Sequence, residues 1–105
     1  MSVKLNKKKI LNNSKIKNIV YQIKKKYNPE KIILFGSYAK GTENEKSDID
    51  LLIIKETDKK FNKRTEEVLN KIEYDIPIDV FVYTPEEFKK SNKLIEKALN
   101  EGIEL

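Results

Sequence analysis

The chain contains no cysteine, no histidine and no tryptophan, and only one of its 105 residues is arginine. Without cysteine there is no disulfide scaffold, no thiol nucleophile and no thiolate site for zinc or iron–sulfur clusters. Without histidine there is no Ser-His-Asp triad, no imidazole general base and no His-ligated metal. Three glycines and three prolines argue against a collagenous or low-complexity chain. Long apolar runs are also missing: residues 32–35 and 51–54 fall far short of the roughly 20 needed to span a bilayer. The basic start is followed by no apolar segment and no small-residue cleavage site, so a cytoplasmic protein is expected. Any catalysis has to run on carboxylates, hydroxyls, lysines and a metal held by oxygen ligands.

What is present fits one compact domain spanning residues 1–105, with 38% apolar and 37% charged residues. The net charge of +5 is unevenly placed. Residues 1–31 carry ten lysines against Glu30 alone, and the remainder is net acidic. Lys7, Lys8, Lys9 and Lys24, Lys25, Lys26 could meet a polyanion, which makes a basic nucleic-acid-associated module one reading. Against it, nearly every cation is lysine, whereas phosphate and base recognition leans on arginine forks. Direct nucleic-acid binding is therefore not expected.

The pattern along the chain alternates helix and strand. Ile16, Ile19, Val20, Ile23 and Tyr27 recur at helical spacing, predicting a helix over 14–26 that Asn28-Pro29 ends. Residues 31–35 read as a buried strand stopped by Gly36, followed by a short helical turn through Ala39 and a polar loop over 41–47. A second strand is expected over 48–54, a helix over about 59–72 and a third strand over about 76–83. Thr84-Pro85-Glu86-Glu87 is a capping box that starts a last helix running through Phe88, Ile95 and Leu99 to Gly102. Residues 103–105 suit a short edge strand. This order predicts an α/β (α+β) fold, a small mixed sheet flanked by helices.

The chemistry is concentrated in residues 36–54. Side chains two apart on a strand share a face, so Asp48 and Asp50 stand side by side, their Cα atoms about 6.6 Å apart. Like charges set so close repel unless a cation compensates, and both can ligate one divalent ion. A frayed strand start facing water is the alternative. Gly36-Ser37, directly after a strand, lets backbone amides and a hydroxyl approach a phosphate, although such a pair is also a common turn. Asp79 lies within the apolar run Ile78 to Val82, where an unpaired buried carboxylate is costly. A cation shared with Asp48 and Asp50 satisfies it, as would Lys31 or Lys71.

Taken together these residues resemble the nucleotidyltransferases with a DNA-polymerase-beta-like fold, in particular the minimal (MNT) antitoxins paired with HEPN-domain toxins. The pattern is Phe35-Gly36-Ser37, a ten-residue spacer, then Asp48-Ile49-Asp50-Leu51, with Asp79 as the third acid, and the likeness extends to the EGIEL ending. The resemblance implies a nucleotidyltransferase fold in which Gly36 and Ser37 hold the triphosphate. Asp48, Asp50 and Asp79 would be both the catalytic residues and the ligands of Mg²⁺, with two metal positions. It further implies that AMP passes from ATP to a tyrosine hydroxyl of a HEPN toxin by in-line attack on the α-phosphate, Asp79 helping to take the proton. Such a protein adenylyltransferase acts as an antitoxin in a hetero-oligomer with its toxin. Neutralisation by binding alone is the competing expectation. Close relatives commonly read Gly-Ser-x-Ala-Arg-Gly where this chain has Lys40, which supplies charge but no bidentate fork.

Overall fold

The computed structural model describes residues 3–105, with side chains from Lys7 onward. Helices α1 (Val3–Leu11) and α2 (Ser14–Lys26) are followed by β1 (Lys31–Phe35), the short α3 (Ser37–Lys40), β2 (Ile49–Ile54), α4 (Phe61–Lys71) and β3 (Ile78–Tyr83). The chain closes with α5 (Pro85–Lys90), α6 (Lys93–Glu101) and β4 (Ile103–Glu104). The four strands form one mixed sheet in the order β3-β2-β1-β4. β1 runs antiparallel to β2 and β4, while β2 and β3 are parallel and joined by a crossover through α4. The expected mixed sheet flanked by helices is what the chain builds.

Period-2 alternation splits the core into two layers. Ile32 and Leu34 of β1, Ile49, Leu51 and Ile53 of β2, and Val80 and Val82 of β3 face one side, where they pack on Ile16, Ile19, Val20 and Ile23 of α2, Val68 of α4 and Ile10 of α1. Ile33, Phe35, Leu52, Ile54 and Tyr83 face the other, covered by Ile95 and Ala98 of α6. Asp50 and Asp79 alternate onto this second face.

Helix caps follow local chemistry. Asn13 begins α2 by accepting from the amides of Lys15 and Ile16. Lys24, Lys25 and Lys26 occupy its last turn, where cations favour the C-terminal carbonyls. The Thr84/Glu87 capping box forms as the sequence predicts. The single last helix does not. Ser91 takes φ 60°, and Asn92 opens a new helix by accepting from the Ile95 amide, so α5 and α6 are separate. Leu99, expected on the buried stripe, is 56% exposed. The strand starts also move inward, β2 from residue 48 to 49 and β3 from 76 to 78.

The sole arginine serves the fold. Arg64 is buried, donating from Nε to the Lys59 carbonyl at 2.7 Å and from Nη1 to the Val82 carbonyl at 3.2 Å and to Glu87 Oε1 at 2.6 Å. It thereby ties α4 to β3 and α5. The hydrogen bond from Arg64, reinforced by the Thr84 amide, holds the Glu87 carboxyl below the ordinary carboxylate range. A lowered folded-state pKa contributes stability that is present above the unfolded value and is lost as pH falls through the folded one. Thermal melts down an acid series should therefore show Glu87→Gln less stable than wild type near neutrality, the gap closing below the usual glutamate range.

Candidate active site

The site assembles at one end of the sheet because three local signals converge there. β1 ends at Gly36, whose φ of 77° and ψ of −158° are open essentially to glycine alone. This turn brings the backbone of residue 36 against Asp50: a Cβ placed there would fall inside contact distance of Asp50 Oδ2 and 3.1 Å from its Cγ. α3 begins at once, with the amides of Ala39 and Lys40 both donating to the Gly36 carbonyl at 3.1 Å. Among the described residues, the amides of Ser37 and Tyr38 meet no acceptor and remain available as donors.

The strand register supplies the acids. Asp50 is the Cα partner of Phe35 across the antiparallel pair and of Asp79 across the parallel pair. Asp48 stands exposed just before β2, two residues from the half-buried Asp50. The Asp50 carboxyl is raised above the usual range, first by burial and then by the negative charges of Asp79 and Asp48. Lys97 opposes this and Glu101 adds to it. The structure thus brings Gly36, Ser37, Asp48, Asp50 and Asp79 to one corner of the fold.

One part of the sequence argument is corrected. Asp79 is exposed, the second residue of an edge strand, and carries no burial cost. Its tie to the other acids rests on register instead. Lys31 pairs with Glu104 at 3.7 Å rather than with Asp79.

Two residues escaped the sequence reading. Glu101 accepts from the Gly36 amide at 3.0 Å and pairs with Lys40 Nζ at 2.9 Å. Lys97, one helical turn before Glu101, bears on Asp50 electrostatically. Their i, i+4 spacing on α6 was the available signal, but only the fold places that face beside residue 36.

The donor set suits a hard cation. All candidate ligands are carboxylate oxygens, and the mutual repulsion at Asp50 is what a divalent ion relieves. Among the described residues no group of three acids forms a ready-made metal cage. That is compatible with Mg²⁺, which commonly takes one or two carboxylates and completes its shell with water and substrate phosphates.

Residues 14–105 match the family described as Nucleotidyltransferase domain. The chain belongs to that family. A Methanocaldococcus jannaschii protein named "Putative protein adenylyltransferase" is 43% identical over 101 residues, a match covering 86% of this chain and 93% of the relative. Among solved structures, a nucleotidyltransferase from Sulfolobus solfataricus, so described with the qualifier "putative", superposes with a TM-score of 0.60 at 20% identity. That match covers 99% of this chain and 86% of the other. A chain of a toxin-antitoxin structure with AMP-PNP superposes with a TM-score of 0.57 at 17% identity, covering 84% and 69% respectively. At these identities the two structures speak for the fold. Among the described residues, no helix of this nucleotidyltransferase is long and apolar enough to cross a membrane.

Proposed function

We propose that this nucleotidyltransferase is an Mg²⁺-dependent protein adenylyltransferase and the antitoxin of a HEPN-domain toxin, working in the cytoplasm as one domain over residues 1–105. The observation that carries the reading is the register that pairs Asp50 with Asp79 beside the Gly36-Ser37 turn. The adenylyltransferase name of the M. jannaschii relative supports the choice of AMP, and the toxin-antitoxin neighbour supports the kind of partner.

In this reading Ser37 and the free amides at the start of α3 hold the triphosphate of ATP. Asp48, Asp50 and Asp79 would hold Mg²⁺, which would supply Lewis-acid neutralisation of the phosphoryl oxygens. The acceptor oxygen, from a toxin tyrosine, forms a bond to the α-phosphorus as the bond to the β-phosphate oxygen breaks and pyrophosphate leaves. Asp79, exposed near the start of β3, would take the hydroxyl proton.

The test is co-purification with a HEPN-domain protein encoded beside it, followed by intact mass of the partner after incubation with MgATP. The expected result is a gain of one or more AMP units. An unmodified partner held in a stable complex would overturn the enzymatic reading in favour of neutralisation by binding alone.

A further inference from the structure

Glu101 is the last residue of α6, and its backbone is pinned on both sides. The following residues form β4 against β1, with the Leu105 amide donating to the Ile32 carbonyl at 2.9 Å, and Ala98 one turn earlier is fully buried. The side chain is 17% exposed and both of its oxygens are engaged. Oε1 takes the Gly36 amide and Oε2 takes Lys40 Nζ, which sit at the two ends of the turn that carries Ser37. Burial alone would raise this carboxyl, but the hydrogen bonds from Lys40 and from the Gly36 amide outweigh it and hold the acid below its ordinary range. A carboxylate bearing on Asp50 adds to the repulsion already set up there by Asp79 and Asp48, which a phosphate-binding corner would be better without, so its presence calls for a compensating role.

We infer that Glu101 is a positioning residue: a fixed anionic post that clamps the Gly36 amide and Lys40 and so sets the Ser37 turn and the lysine charge for the substrate phosphates. The inference rests on the proposed nucleotidyl-transfer reading and deepens it. Gly36 N–H is then a donor spent on the protein itself, and the amides left for phosphate are those of Ser37 and Tyr38. Lys40, held at one end by Glu101, is delivered to the turn by an ion pair instead of by the rigid fork an arginine carries.

The test compares wild type, Glu101→Gln, Lys40→Met and the double variant for MgATP affinity and for KM and kcat in partner modification, with thermal melts to verify folding. Glutamine keeps an acceptor for the Gly36 amide but turns an amide donor toward Lys40 Nζ, so the charge and the ion pair are both lost. The expected result is an affinity loss and KM increase of about tenfold for each single variant, with kcat changed less and the double variant no worse than either single. The Lys40→Met arm decides the matter if Glu101→Gln fails to fold. Unchanged affinity overturns the inference, and so does tighter binding, which would show Glu101 acting only as a repelling charge. If wild type itself takes up no MgATP, the inference falls together with the nucleotidyl-transfer reading; if wild type binds and the variants bind as well, the inference falls alone.

Discussion

Asp48→Asn combined with Asp50→Asn is expected to lower nucleotidyl transfer by at least about a hundredfold while raising the melting temperature of the metal-free protein. The two effects have one cause. Asp50 is half-buried and faces the charges of Asp79 and Asp48, with Lys97 compensating only in part. Neutralising the carboxylates relieves that repulsion and so stabilises the fold. It also removes the charge that would hold Mg²⁺, and several kcal/mol of transition-state stabilisation correspond to two or more decades of rate. Adding Mg²⁺ should raise the melting temperature of wild type and leave that of the double variant unchanged, since only a protein that binds the ion is stabilised by it. Melting curves with and without Mg²⁺, beside the transfer assay, check all three statements. A double variant that transfers as fast as wild type would falsify the assignment of the acids.

Gly36→Ala should be nearly as damaging to transfer, by a different route. The backbone there is in a region open essentially to glycine, at a cost of about 1–3 kcal/mol for any other residue. The added methyl also meets the Asp50 carboxylate, with Oδ2, Cγ and Cβ all within van der Waals reach. The end of a side chain can swing away, so the protein should still fold, with its melting temperature lowered by roughly 4–20 °C. The carboxylate that swings away, however, is one of the proposed metal ligands. Gly41→Ala is the control: φ is also 77°, but a Cβ there meets nothing within 4 Å. It should show only the strain and retain most of the activity. Equal losses at the two positions would mean that the close packing of Gly36 on Asp50 has no functional weight.

The sequence carried the sheet and its helices well because period-2 and period-3.6 patterns are local. Strands β1 and β2, the capping box at Thr84 and the edge strand at Ile103 were all legible, as were the spacings that mark Gly36, Ser37, Asp48 and Asp50. α1 was missed because its run of lysines hides the buried anchor, which among its described side chains is Ile10. The break at Ser91 was missed because a positive φ at serine leaves no compositional trace. The ground for singling out Asp79 is not the one the structure supplies: an acid flanked by apolar residues reads as buried, yet an edge strand that starts only at Ile78 leaves it open to water. Glu101 and the fate of Arg64 were out of reach because both depend on contacts between segments distant along the chain, which no local pattern encodes.

The parallel pairing of β2 with β3 also orders events during synthesis. A ribosome that has delivered residues 1–54 has delivered Gly36, Ser37, Asp48 and Asp50, but Asp79 has no register to enter until α4 has carried the chain back along the sheet. Glu101, which steadies the turn at Gly36, emerges later still. Non-local strand pairings form slowly because the loop between them must close first. A partly made chain therefore carries Asp48 and Asp50 without their neighbours, and the corner is complete only once α6 has docked.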